Sequence, residues 1–211
     1  MKIISILAFI FLSSCAGYQF RYQNNPFASY GVKSVAIPNF LNKSLISNAS
    51  TPMTENISSV LSQNTTLKIY SGNSQKADAT LIGIISSSDR RNDFLQTTGT
   101  TLIEDTPGRR DFYAPNQTSF SLSLTIILIK KPTEVDLSLM NKDFLPYIDK
   151  HPKVVFSKSI PLSSSYSRYL STTSGLDSVN SVQNREILNK AVESLAVSAG
   201  STFREEVLNA F

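Results

Sequence analysis

Cysteine and histidine occur once each in this chain of 211 residues, and tryptophan is absent. A single cysteine, Cys15, cannot close an internal disulfide, so a folded domain here is held by its core alone. His151, the only histidine, sits between Lys150 and Pro152 in a polar stretch. It reads as a solvated loop residue, and alone it builds neither a metal site nor a Ser-His pair. No Ser-x-x-Lys spacing occurs, which removes the serine-lysine route. The acid pairs Glu104-Asp105 and Glu205-Glu206 are adjacent, so a strand or helix points their side chains apart, as surface charge. The sequence therefore predicts a non-enzyme that uses no metal.

Strong charge and long apolar runs are also missing. Twenty basic residues stand against sixteen acidic ones, a net charge of +4, which is mild and gives no reason to expect a nucleic-acid partner. A helix needs about twenty apolar residues to cross a hydrocarbon core of about 30 Å, and no window reaches that. The nearest internal one, residues 122–129, reads as a strand.

What is present begins at the N-terminus. Lys2 is a minimal positive n-region, residues 3–12 are apolar except for Ser5, and Leu12-Ser13-Ser14-Cys15 sets an aliphatic residue and two small ones before the cysteine. This has the form of a lipoprotein cleavage box. It predicts that residues 1–14 are removed as a signal peptide, and that Cys15 becomes the N-terminus carrying diacylglycerol and an N-acyl chain. Acyl chains anchor firmly when two or more are present, at about 0.8 kcal/mol per buried methylene. No other cofactor is expected. Ala16 stands where an aspartate favours inner-membrane retention in lipoproteins of the enteric type, so the expected location is the outer membrane, facing the periplasm. Losing Lys2 takes the net charge from +4 to +3, because residues 1–14 hold no acid. Beside such a box, the Asn-x-Ser/Thr sequons at Asn42, Asn48, Asn56, Asn64 and Asn116 are a by-product of Asn and Ser richness.

Downstream, residues 15–30 have no clean period and read as a tether, and residues 31–211 as one domain without internal repeats. Residues 32–37 alternate and end at Pro38, which fits a first strand. Residues 39–50 read as a loop. Thr51-Pro52 opens a helix with a hydroxyl cap and a proline at its first position, Glu55 lies in the first turn, and Met53, Ile57, Val60 and Leu61 form the apolar stripe. Strands follow at 67–70 and 77–87, the latter with Ala79, Leu81, Gly83 and Ile85 on one face and Ile82 and Ile84 on the other. The clearest period of two puts Phe120, Leu122, Leu124, Ile126 and Leu128 opposite Ser119, Ser121, Ser123, Thr125 and Ile127. Another strand is expected at 153–161, extended by 166–169 after a bend. Residues 181–210 read as a helix in which Gly200 marks a bend or a close approach to the sheet. The expected fold is α+β: a two-layer sandwich of about four mostly antiparallel strands covered by two helices, in the order strand, helix, strands, helix. Residues 89–116 and 130–152 are expected as long insertions outside the layers.

These motifs carry a resemblance. The lipobox, Gly17-Tyr18-Gln19-Phe20, the strand ending Ala36-Ile37-Pro38-Asn39-Phe40 with Asn42, and Lys76-Ala77-Asp78-Ala79-Thr80-Leu81-Ile82-Gly83 entering a strand resemble the lipopolysaccharide-assembly lipoprotein family. The resemblance covers residues 15–85, and the rest in element order. It implies a partner, an outer-membrane β-barrel whose lumen the lipoprotein plugs, and direct binding of lipopolysaccharide. The Pro-x-Phe-x-Asn and Ala-Asp-Ala-x-Leu-x-Gly patterns also resemble lipoproteins that activate peptidoglycan synthases and those that form secretion channels.

Two groups of residues suit binding. Arg90-Arg91 and Arg109-Arg110 bracket the first insertion, and paired arginines offer bidentate forks to phosphate, the charged group of lipid A. Side by side in a hairpin they would form a ligand site. The alternative is two solvated sheet ends, balanced by Asp89, Asp93 and Asp111. The aromatic segment Phe112-Tyr113-Ala114-Pro115, with Phe94-Leu95, is the second candidate, either docking in a partner or folding back as core.

Overall fold

The computed structural model describes residues 25–88, 95–103, 112–141, 151–170 and 181–209. Its strands are β1 (Ser34–Ile37), β2 (Leu41–Lys43), β3 (Lys68–Ser71), β4 (Ala79–Ser86), β5 (Leu95–Ile103), β6 (Phe112–Lys130) and β7 (Val154–Ser167), and its helices α1 (Ser50–Asn64), α2 (Glu134–Asn141) and α3 (Ser181–Phe203). The class is α+β, but the sheet among the described residues has seven strands and is mixed. Its order is β3-β1-β4-β6-β5, with β2 also on β4 and β7 also on β6.

The four-strand antiparallel sandwich is corrected at its first half. β1 runs parallel to both β3 and β4, and β2 parallel to β4. A parallel pair needs a long crossover, and α1, between β1 and β3 in sequence, supplies one. The antiparallel half is built on β6, 19 residues long. At about 3.3 Å per residue it runs roughly 60 Å and serves as the common neighbour of β4, β5 and β7.

Both expected insertions contain regular structure. Residues 89–116 hold β5 and the start of β6, and residues 130–152 hold α2. The expected loop at 39–50 contains β2. β7 is one strand through Pro161, which pairs opposite Ser123. Proline is tolerated there because β7 has a neighbour on one side only among the described residues, so no second ladder needs its N–H. The folded body also begins before residue 31: Phe27 is buried and stacks on Phe156 with ring centroids 5.5 Å apart.

The core lies between the sheet and the pair α1 and α3. Met53, Ile57 and Leu61, four residues apart, are fully buried from α1, and Val192, Leu195, Ala196, Ala199 and Phe203 from α3. They meet Leu81 and Ile85 of β4, the even residues Phe120 to Leu128 of β6, and Ile160 and Leu162 of β7. A smaller cluster of Ile84, Ile127 and Ile129 lies apart from it, with Ile82 packed against it. α1 starts one residue before the expected cap: Ala49 occupies the cap position, and no side chain caps the end. Pro52 still falls in the first turn, where no N–H is needed, whereas Glu55 lies beyond it. α3 ends at Phe203 and continues as a π-helical turn, Arg204–Leu208. The close approach at Gly200 is to α1 rather than to the sheet, since a Cβ there would lie 3.1 Å from Val60 Cγ2.

The two sequence patterns that carry the resemblance interlock. Pro38 ends β1, the chain resumes as β2 along the same neighbour β4, and the Phe40 ring between them lies over Gly83, where a Cβ would collide with it. Thr54 Oγ1 of α1 accepts from Phe40 N at 2.9 Å, and Ser50 Oγ donates to Phe40 O. Asn42 closes the next loop, donating to Ile46 O at 2.7 Å and accepting from Ser44 N at 3.0 Å. Asp78 Oδ2 accepts from Ser34 Oγ at 2.8 Å and from the backbone N–H groups of Lys33 and Ser34 at 3.0 Å, while Asp78 N donates back to Ser34 Oγ. Those bonds, that of Ser34 Oγ foremost, hold the Asp78 carboxyl below its ordinary pKa and fasten the start of β1 to β4.

Candidate functional site

Cys15, the expected lipid anchor, and the arginines Arg90, Arg91, Arg109 and Arg110 lie outside the described residues, as does Phe94. The described flanks bear on how the doublets connect. Arg90-Arg91 precede Leu95, paired with Phe120, and Arg109-Arg110 fall between Ile103 and Phe112, a pair at the other end of β5. The described residues that flank the doublets in sequence, Leu95 and Ile103, are the two ends of nine-residue β5, about 27 Å apart at strand rise.

Around His151 the structure forms an ion cluster. Asp136 of α2 lies 2.7 Å from Lys153 Nζ and 3.4 Å from His151 Nε2. Its Oδ2 also accepts from Thr133 N at 2.8 Å, and Thr133 Oγ1 accepts from Asp136 N at 3.2 Å, a reciprocal cap on the first turn of α2. The Lys153 ammonium, followed by the Thr133 backbone, holds the Asp136 carboxyl well below the ordinary aspartate range. These contacts fix α2 against the start of β7. Among the described residues, no group of three or more His, Cys, Asp or Glu is placed to hold a metal, and no buried side-chain polar atom lacks a hydrogen-bond partner.

Among the described residues, the outward face of β6 and β7 is a uniform polar surface. Register pairs Ser119 with Ser165, Ser121 with Ser163, Ser123 with Pro161 and Thr125 with Ser159. Ser123 and Ser159 share a hydrogen bond of 2.8 Å. Alternation places these residues opposite the core-facing Phe120, Leu122, Leu124, Ile160 and Leu162. The result is two rows of hydroxyls, interrupted on β7 by Pro161, with no charged side chain among the paired residues. Such a face can exchange hydrogen bonds with water, sugars or a polar protein wall, but it offers no cation to a phosphate. The serine alternation on β6 was legible in the sequence. Its counterpart on β7 was hidden because residues 162–165 read as a break in the strand.

No protein-family model matches the chain, and no curated protein matches it. Among solved structures the chain is similar to rare lipoprotein B from Shewanella oneidensis, with 8% identity over 82% of this chain and 95% of that one, at a TM-score of 0.38. It is similar to lipoprotein B from Nitrosomonas europaea with 10% identity over 89% and 87%, at 0.39. It is also similar to PelC from Paraburkholderia phytofirmans with 13% identity over 80% and 86%, at 0.35.

The two ends of the sheet differ in character. Lys33, Lys68, Lys76, Lys130, Lys131 and Lys153 all stand where β1, β3, β4 and β7 begin and β6 ends. The described chain enters at this end: Lys130 Nζ donates to Tyr30 O at 2.9 Å, and Phe27 packs on Phe156. Ten links separate Cys15 from Asn25, a reach of at most about 35 Å. At the far end β5 and β6 continue past the last β7 pair, Gln117 with Ser167. There Tyr113 is 71% exposed and its pair Leu102 is 43% exposed, so Tyr113 does not fold back as core, while Ala114 does.

Proposed function

We propose that this chain is a lipid-anchored, non-enzymatic partner of an outer-membrane β-barrel, acting in lipopolysaccharide assembly by lying against the polar interior of that barrel. The observation that carries the reading is the uncharged hydroxyl face of β6 and β7. The inside of a transmembrane barrel is polar and wet, and paired serine rows supply a flat, hydrogen-bonding surface for it without an ion pair to desolvate. The lipobox supports the address, since acyl chains on Cys15 and a reach of about 35 Å keep the domain beside proteins of the same membrane. The lysine-rich end, where the chain enters, then faces anionic headgroups. Direct contact with lipid A phosphates falls to Arg90, Arg91, Arg109 and Arg110, because the hydroxyl face has no cation to offer.

The test is affinity capture of the tagged, acylated chain from detergent-solubilised outer membranes. A large barrel protein is expected to come with it, and to be lost when Ser121 and Ser163 are both changed to lysine. Capture of a peptidoglycan synthase or of a ring of identical subunits, with no barrel, overturns the proposal.

A further inference from the structure

β5 closes one side of the sheet, and among the described residues Leu95–Ile103 pairs only with β6. An open edge invites another strand, and proteins usually blunt it with short length, lysine or proline. The other edges here carry those devices. β3 has four residues and includes Lys68, and β7 carries Lys158 and Pro161. β5 has nine residues with no charge and no proline, mostly threonine and aliphatic residues that favour extended pairing, and the one blunting device it carries is the bulge between Thr97 and Thr100.

The order of those residues matters as much as their type. About Gly99 the strand reads almost the same in both directions: Leu95-Gln96-Thr97-Thr98 before it, Thr100-Thr101-Leu102-Ile103 after it. An antiparallel neighbour runs in reverse. Two copies of β5 related by a two-fold axis at Gly99 therefore place Thr98 opposite Thr100, Thr97 opposite Thr101, and Leu95 opposite Ile103. Threonine meets threonine beside the axis and aliphatic meets aliphatic at the ends, pairings that stabilise neighbouring strands; Gln96 falls opposite Leu102 as the one mismatch, and no like charges oppose each other. Thr97, Thr98 and Thr100 are exposed. The irregularity of the β5/β6 ladder, between Thr97 and Thr100, falls at the axis and leaves both flanks in regular register with β6. Asn116 fixes the strand there: its side chain lies over Gly99, and its Nδ2 donates to Thr101 Oγ1 at 2.7 Å.

We propose that β5 is a homotypic docking strand, through which two copies of this chain join antiparallel across a two-fold axis at Gly99. A strand that accepts an unrelated partner has no need of this symmetry, whereas an isologous contact requires self-complementarity. The inference does not depend on the barrel or on lipopolysaccharide. A contact along one strand edge is smaller than the roughly 1,200 Å² at the low end of stable interfaces, so the dimer is weak in dilute solution.

Sedimentation of the full acylated chain in density-matched detergent, across the micromolar range, tests this. The native chain is expected to pass from monomer to dimer with concentration. T98K/T100K opposes lysine with lysine twice and should weaken the dimer at least about tenfold, whereas T98K/T100E opposes lysine with glutamate in this register and should return it to within about threefold of native. The second variant also shows that two changes on this exposed strand leave the chain folded. A native chain that stays monomeric, a dimer indifferent to T98K/T100K, or a T98K/T100E as weak as the double lysine overturns the proposal.

Discussion

Gly83→Ala isolates the contact between the two interlocked patterns of the first half, and its sign depends on which of two opposing effects is larger. Glycine inside a strand loses more chain entropy on folding than alanine, so the change alone would stabilise by about 0.5–1 kcal/mol. Against this, the new Cβ would lie 2.6 Å from Phe40 Cδ1 and closer still to Cγ and Cδ2, where contacts under 3.0 Å are essentially never seen. The ring cannot swing out, because Phe40 is 3% exposed and its backbone is held by Ser50 and Thr54. Overpacking of this kind costs about 1–3 kcal/mol, and with three ring atoms involved we take the upper end. The net expectation is a loss of about 2 kcal/mol, or a fall in Tm of about 4–8 °C for a chain of this size. Phe40→Ala alone should cost about 3–5 kcal/mol by leaving a cavity. In that background Gly83→Ala meets no ring and should be neutral or mildly stabilising. Urea denaturation followed by circular dichroism, for the four members of the cycle, measures the coupling as about 2–3 kcal/mol. Equal effects of Gly83→Ala with and without the Phe40 ring would refute the close approach as the reason for glycine.

Two further outcomes follow from the same contacts. Asp78 and Asp136 are both held below the ordinary aspartate value of 3.8 in the folded state, so their contribution is fully present above that value and is lost as pH falls through the depressed ones. Stability from denaturant midpoints should therefore decline below about pH 4, and D78N/D136N should flatten that decline; an unchanged slope would mean that neither carboxylate is held as described. Gly200→Ala trades a helix-propensity gain of about 1 kcal/mol against a contact of 3.1 Å with Val60 Cγ2. It should be near neutral in the native background and stabilising by up to about 1 kcal/mol beside Val60→Ala; thermal melts showing no difference between the two backgrounds would exclude Val60 as the obstacle.

Elements with a strong period were legible from the sequence. The stripe of α1, the alternation of β6 and the two faces of β4 all reappear, because a buried face must repeat with the period of its element. Three features were not. β5 was hidden because threonine fills both faces, so a strand defined by a neighbour rather than by a core leaves no apolar alternation. β2 was hidden because three residues are too few to show a period. The parallel pairing of β1 with β3 was hidden because alternation reports faces, not direction. Of the candidate site, the aromatic segment is described in part, with Tyr113 exposed and Ala114 buried, and the serine face could be read on β6 only.

The interlocked patterns also say where function does not reside. Phe40 and Gly83 fill the same space inside the domain, Asp78 and Ser34 bond each other, and Asn42 closes its own loop. Each of these residues uses its side chain within the domain, so each specifies how β1, β2, α1 and β4 fit together. Residues of that kind serve the fold, so sequences that share them need not share a partner. A resemblance resting on them transfers the joint more securely than the task. The task must be sought outside that joint: in the hydroxyl rows of β6 and β7, in the edge of β5, and in the arginine doublets that precede and follow that strand in sequence. Exchanging Phe40 and Gly83 together should then change stability and leave partner choice intact, whereas charging the serine rows should do the reverse.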